Sequence, residues 1–371
     1  MLVKTICIVL GILILALLAY IVYLYASYHR IEDNQELVVE APVDDTTTGA
    51  AAVLATDTEY SAVTYNIGFG AYLPDYSFFM DGGTSSWAES PETVQYAING
   101  AGELVKSLDP DFALIQEIDL DATRSYHTDE YEMLRNILPE YTTVFAQNYD
   151  SAFLFYPFNQ PHGSSRAGLG LFSKYPVSSA LRRSFPISTS FSKFFDLDRC
   201  YSVSRIPVDN GNELVIFNLH MSAYGNSDAI RKGQIEMLCN DMQAEYEAGN
   251  YVLCGGDFNH DLKASEEDTE SCESWAFPFP RTELPEHFAK ELHLEMAYRQ
   301  AGYGQYDDRI MHVIREEFCR NGLPLDPTYT GKAFWGMKEY IEEHHLEDCD
   351  VLFLHTGGTP LFYDCLPGGT L

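Results

Sequence analysis

Positive charge is scarce in this 371-residue chain: 23 Lys and Arg stand against 55 Asp and Glu, for a formal net charge of −32. Binding along a phosphate backbone needs a Lys/Arg footprint, so the acidity argues against a broad surface for duplex nucleic acid but not against a local cationic or metal-bearing cleft. The eight cysteines form no CxxC pair, and Cys7 lies in an apolar run, which leaves an odd seven. Neither a zinc site nor a disulfide framework is signalled, and Cys239 and Cys254 sit in apolar settings that suit buried free thiols. The sequence contains no internal repeat.

Apolar material is plentiful. At 46% hydrophobic and 13% aromatic residues, the chain can build a sizeable core and is too apolar to be disordered. The stretch from Thr5 to Ser27 runs 23 residues without a charge. That length spans a bilayer as a helix and exceeds the usual signal-peptide apolar region, so residues 1–28 are expected to be an uncleaved, single-pass transmembrane anchor. Lys4 and the amino terminus precede the span, while Arg30 follows it among acids that count little toward orientation. The large domain is expected outside the cytoplasm. Residues 29–58 mix acids, Thr, Ala and Pro without periodicity and read as a flexible acidic tether.

From Glu59 onward the pattern is that of strands with interspersed helices. "YSAVTYNIGFG" alternates toward a strand that ends in glycines. "SPETVQYAINGAGELVKSLDPD" reads as a helix, with Ser90 as its cap, Pro91 at the first helical position and a stop at Pro110. "FALIQEID" is a strand, "TDEYEMLRNILPE" a second helix and "YTTVFAQNY" a further strand. "RAGLGLFSKYPV", "SRIPV" and "NELVIFNLHMS" follow, then the helix "SDAIRKGQIEMLCNDMQAEYEAG" and the strand "NYVLCGGDFN". Turn signals such as "DNGNE" separate them, which indicates an α/β layered fold.

Four apolar runs end on a residue that can bind a metal or a phosphate: Asn66, Glu117, His220, and Asp257 with Asn259. Strand ends at one edge of a sheet gather residues from distant sequence into one crevice. Carboxylate and amide oxygens are hard ligands that suit Mg²⁺ or Mn²⁺ rather than zinc. His220 can donate to a phosphate oxygen or protonate a leaving group near neutral pH. Asp257 can align or deprotonate a water, and Asn259 can hold a phosphoryl oxygen as charge develops. Taken singly, each has an ordinary use as a turn, cap or structural residue; their order along the chain is what joins them. Gly255 and Gly256 read as a tight turn beside a phosphate. Two positions apart in extended backbone, Asp257 and Asn259 should point the same way, with His260 in a supporting role.

In "YN" at 65–66, "LIQE" at 114–117, "NLH" at 218–220 and "GGDFNHD" at 255–261, together with "GLGLFSKYPV" at 168–177, the chain resembles the endonuclease/exonuclease/phosphatase superfamily of DNase-I-like metal phosphoesterases. The resemblance covers about Glu59 to Phe334. It implies a four-layer α/β sandwich, two packed mixed sheets flanked by helices, in a domain over 59–334. It also implies a Mg²⁺- or Mn²⁺-dependent hydrolase, with Asn66 and Glu117 on the metal, His220 and Asn259 on the phosphate and Asp257 on the attacking water. The expected substrate is a phosphodiester or phosphomonoester: nucleic acid, a phospholipid headgroup or a small phosphate ester. A monomer is expected, tied to a membrane by its N-terminal helix.

The resemblance stops short of the family's last two signatures. "CRNGLPLDPTYTGKAF" at 319–334 looks like the approach to a late strand with its Asp, yet no Ser-Asp-His precedes a final strand in residues 335–371. The fold is therefore expected to be incomplete at that end. A catalytically impaired binding or scaffold protein on the same fold is the competing expectation.

Overall fold

The computed structural model describes residues 2–44, 53–73, 76–194, 196–223, 228–259, 308–321, 325 and 330–344. Two five-stranded sheets lie face to face. One runs β1 (Gln35–Glu36), β7 (Ser179–Ser184), β8 (Cys200–Pro207), β9 (Glu213–His220), β10 (Tyr251–Asp257). The other runs β2 (Val39–Glu40), β5 (Thr142–Leu154), β6 (Gly163–Ser173), β4 (Phe112–Ala122), β3 (Ala62–Asn66). Pairing is parallel for β9 with β10 and for β3 with β4, and antiparallel elsewhere.

Alternation along the strands sorts side chains into layers. On β4 and β9, Phe112, Leu114 and Ile216 point between the sheets, where Val144, Leu171, Ala180 and Ile206 meet them. The intervening Ala113 and Ile115 face outward under α2 (Pro91–Leu108) and α3 (Glu130–Ile137), against Val94, Ile98, Val105 and Leu134. Val215 and Phe217 face outward on the other side, under Ile235, Leu238 and Cys239 of α4 (Asp228–Glu247). The result is the four-layer sandwich. Its helix starts follow their caps: Ser90 Oγ accepts from Thr93 N at 3.1 Å, and Asp129 accepts from Glu132 N at 2.9 Å.

The described residues of 29–58 depart from the expected tether. Gln35–Glu36 adds an edge strand to one sheet and Val39–Glu40 to the other, and Leu54 is buried in the inter-sheet core. Edge strands offer unpaired backbone groups, and a chain leaving nearby satisfies them. The helix α1 (Leu2–Ser27) is long and apolar enough to cross a membrane, and its last turns rest on the domain: Leu24 is buried with Leu154 and Phe194. At the other end, α5 (Asp308–Asn321) and α6 (Thr330–His344) pack on each other through Ile310, Ile314, Phe334 and Trp335. Of the stretch expected to approach a strand, residues 319–321 and 330–334 are therefore helical. Residues 345–371 lie outside the described residues, as does His260.

Candidate functional site

Side-chain parity brings most of the site together. Thr64 and Asn66 on β3, Asn218 and His220 on β9, and Gly255 and Asp257 on β10 are each two apart, so each pair shares the inter-sheet side. Register then aligns them: Asn66 lies opposite Gln116, and Asp257 opposite His220. Behind the cleft, buried Gln116 Nε2 donates to Asn218 Oδ1 across the two sheets at 2.8 Å, and Asn218 Nδ2 donates to Gly170 O at 3.0 Å. These two amides fasten one sheet to the other where the site begins. Both stood inside the quoted motifs, and neither drew notice because an apolar strand gives no sign of which polar residue will cross a sandwich.

Glu117 reaches the cleft differently. Parity with Ile115 would turn it outward, toward α2 and α3. A β-bulge interrupts the β4–β6 register between Ile115 and Ile118, and Glu117 takes φ +57° in the left-handed region. A bulge adds one residue and re-aims a side chain, and a non-glycine residue held at positive φ is strained unless its surroundings fix it. The surroundings here are ionic. Arg124 donates to both oxygens of buried Asp119, at 3.0 and 2.7 Å, and Ser125 Oγ donates to Asp119 at 2.8 Å. Glu130 Oε2 accepts from Asp119 N at 2.8 Å, so α3 grips the strand just past the bulge. Burial opposes the charge on Arg124, but Asp119 outweighs it and keeps the guanidinium firmly protonated. Burial, then Asp119, holds the Glu130 carboxyl well above the usual carboxylate range.

At the centre, ligand atoms of Glu117, His220 and Asp257 lie within 4.8 Å of one another. His220 Nε2 is 3.8 Å from Glu117 Oε1 and 3.8 Å from Asp257 Oδ2. Asn66 Nδ2 donates to Glu117 at 3.0 Å and to Asp257 at 2.8 Å, bridging the two carboxylates. Its Oδ1 accepts from Gly68 N at 3.0 Å, which fixes the amide's orientation. Asn66, expected as an oxygen ligand, thus presents its NH₂ to the carboxylates. Burial, opposed in part by Arg124 and reinforced by Asp257, raises the Glu117 pKa. Burial, with Arg199 beside it, lowers that of His220 to about 3. At neutral pH His220 is consequently a neutral hydrogen-bond donor rather than a stored acid. Its Nδ1 is buried and meets no hydrogen-bonding partner among the described residues.

Asn259 also differs from expectation. β10 ends at Asp257 and Asn259 has φ +49°, so extended parity does not apply. Its backbone N donates to Asp257 Oδ1 at 2.9 Å, and its Nδ2 donates to Met221 O at 3.0 Å. Asn259 holds Asp257 and ties the turn to β9. Gly255 and Gly256 sit within the strand rather than in a turn. A Cβ on Gly256 would come within 2.1 Å of Leu219 O, so close approach of two strands is what requires glycine there.

Two cations escaped sequence reasoning. Arg124 supports Glu117 from behind. Arg199 is 1% exposed and has only a 3.4 Å contact with Asp196, while its Nε and Nη1 meet no partner among the described residues. Its charge is felt by both Glu117 and His220. An arginine between apolar strands carries no motif, and only its three-dimensional neighbours identify it.

A Bacteroides thetaiotaomicron mannosyl-6-phosphatase structure is similar at 18% identity and TM-score 0.37, over 56% of this chain and 68% of that one. A Beutenbergia cavernae endonuclease/exonuclease/phosphatase structure is similar at 18% identity and TM-score 0.40, over 57% and 50%. Over 74 residues, 20% of its length, the chain is 36% identical to a Salmonella newport D-cysteine desulfhydrase. The chain spans less than a quarter, 23%, of that curated relative's length. Residues 63–288 match the model of the Endonuclease/Exonuclease/phosphatase family, a match that ends before α5 and α6 and well short of Phe334. With more than half its length in that match and its strand ends converging on two carboxylates and a histidine, this chain belongs to the endonuclease/exonuclease/phosphatase family.

Proposed function

We propose that the chain is a membrane-anchored phosphoesterase that hydrolyses a phosphodiester or phosphomonoester with Mg²⁺ or Mn²⁺. The observation that carries this reading is the approach of Glu117, His220 and Asp257 ligand atoms to within 4.8 Å of one another in a member of this family. Two carboxylates this close repel, and Asp257 contributes to the raised pKa of Glu117. A divalent cation would offset that repulsion, and hard oxygen donors suit Mg²⁺. The donor set therefore fits the ion. Glu117 would hold it, and Asn66, donating to both carboxylates, would position them around it. When bound, the ion would polarise a phosphoryl oxygen as a Lewis acid.

The remaining roles belong to the protein's own groups. Asp257, fixed through Oδ1 by Asn259 N and through Oδ2 by Asn66, takes the proton of the attacking water. His220 donates a neutral N–H to the phosphoryl oxygen as negative charge grows there. Asn259 contributes by holding Asp257 in place. The unpartnered nitrogens of Arg199 supply fixed positive charge for an anionic substrate. Leu24 buried against the domain supports retention of α1 as an anchor.

One observation favours the competing scaffold reading. Residues past 288 carry no Ser-Asp-His, and among them the described segments are helical. Turnover of bis-p-nitrophenyl phosphate by the full chain, with Mg²⁺ and with EDTA, decides between the readings. Metal-dependent hydrolysis supports the enzyme; its absence with metal still bound supports the scaffold.

A further inference from the structure

Four exposed aromatic side chains of the domain, the three exposed phenylalanines of the described residues among them, lie on two neighbouring segments at one edge. β5 and β6 join through a tip that carries Phe155, 50% exposed, Tyr156, 59%, and Phe158, 85%. Beside it, the segment between β7 and β8 carries Phe191, 49% exposed. Rings of this size seldom face water together in a soluble domain, and a contiguous apolar patch marks an interaction surface.

α1 says what covers it. The helix has 26 residues, about 39 Å at 1.5 Å per residue, against about 30 Å of hydrocarbon. The surplus of about 9 Å, roughly six residues, lets this end of the helix stand in the headgroup layer, and Tyr20, Tyr23 and Tyr25 near this end, with Tyr28 just beyond it, hold the aromatic edge. Tyr20 Oη donates to Phe153 O at 3.2 Å and accepts from Phe155 N at 3.3 Å, and Phe153 N donates to Tyr23 Oη at 3.0 Å. Tyr20 and Phe155 rings meet edge to face at 5.1 Å, and Tyr25 and Tyr28 do so with Phe194 at 4.7 and 5.2 Å. Lys193 Nζ stands 4.7 Å over the Tyr28 ring. The exit is further pinned by Ile31 N donating to Asp198 at 2.6 Å and by His29 beside Asp150 at 3.2 Å. Aromatic rings with a lysine among them are the composition of the membrane–water boundary.

This edge is also the edge of the cleft. Ser184 and Cys200 pair at the open ends of β7 and β8, and Cys200 pairs with His220, so the Phe191 segment leaves the sheet at the His220 end. β4 continues from Glu117 to Ala122, about 16 Å at strand rise, and Ala122 pairs with Ser165 just inside the Phe155–Phe158 tip.

We propose that Phe155, Tyr156, Phe158 and Phe191 lie in the headgroup layer of the bilayer that α1 enters, which turns the Glu117–His220–Asp257 cleft toward the membrane surface. The proposal rests on the anchor reading of α1, and its consequence is a substrate ester presented at that surface. Full-length F158W, reconstituted in phosphatidylcholine vesicles with and without brominated acyl chains, tests it without any need for turnover. The added tryptophan emission, taken as the difference from wild type, should be quenched by the brominated lipid while the protein resists alkaline carbonate extraction. Resistance without quenching overturns the docking and leaves the anchor standing; extraction of the protein overturns both. Full-length F155S/F158S, with the cleft intact, should turn over a phosphate ester embedded in vesicles about tenfold more slowly, the change that 1.4 kcal/mol of lost docking produces. Its rate on soluble bis-p-nitrophenyl phosphate should not move. Equal losses on both substrates, or none on either, contradict the proposed orientation.

Discussion

The two sheets deliver their catalytic groups to the same cleft by different means. β9 and β10 present His220 and Asp257 through plain alternation, paired in register, with a glycine beside Asp257 to let the strands approach. β4 presents Glu117 against alternation, through a bulge and a left-handed backbone that Asp119, Arg124 and Glu130 hold from behind. The first arrangement is stable by default. The second is strained and persists because a buried ion network fixes it, so the metal-holding carboxylate is the part of the site whose position depends on residues that never touch substrate.

Breaking each side of that comparison should have a different signature. The largest effects belong to the carboxylates. E117Q should lower turnover of bis-p-nitrophenyl phosphate by about a thousandfold and raise the Mg²⁺ concentration for half-maximal rate. D257N should lower turnover about as much, at the upper end of what a positioned base supplies, with Mg²⁺ dependence nearly unchanged. A metal titration of the rate for both variants distinguishes them, and identical Mg²⁺ profiles would contradict the division of roles.

R124M removes the cation from a buried network and leaves Asp119 uncompensated, which should cost about 3–5 kcal/mol in denaturant unfolding. R124K should recover part of that. The sharper readout is catalytic: R124K should need more Mg²⁺ because Glu117 is held less firmly, whereas a purely structural arginine would leave the Mg²⁺ dependence of the surviving folded protein unmoved. On the plain side, G256A should destabilise by about 1–3 kcal/mol, because its Cβ would press on Leu219 O, without altering Mg²⁺ dependence.

The smallest effect concerns pH. His162, buried under Phe78 and Phe79, has its pKa lowered to about 3 by burial and then by Arg124. The native ring stays neutral while the unfolded one gains a proton below about 6.5, so this stability is complete above about 6.5 and is lost as pH falls toward 3. Between pH 7 and pH 5 the loss should be about 2 kcal/mol, read from urea midpoints, and H162Q should flatten that slope.

Much of this was legible in the sequence, for identifiable reasons. Apolar runs ending on Asn66, His220 and Asp257 marked strand ends, and strand ends at one edge meet, whereas Glu117, expected at a strand end, stands in mid-strand at the bulge of β4. The caps at Ser90 and Asp129 set helix starts. What the sequence could not convey depends on residues far apart in the chain. The bulge at Gln116 and Glu117 is defined only by its register with β6, the partner of Arg124 is found only in the fold, and Arg199 has no motif at all. The stretch from Gln35 to Glu40 looked like linker because two-residue edge strands carry no period to detect. Asn259 misled because parity was carried past the end of β10.

The central claim is that Glu117, held by its bulge, is the carboxylate that holds a divalent cation, while Asp257 beside it serves the attacking water. Titration of the full-length protein in detergent with Mn²⁺, followed by the loss of the free-ion electron paramagnetic resonance signal, tests it most directly. The account predicts saturable binding of Mn²⁺ that E117Q abolishes and R124K weakens. Mn²⁺ binding unchanged in E117Q, or no binding by the wild-type chain, would contradict it.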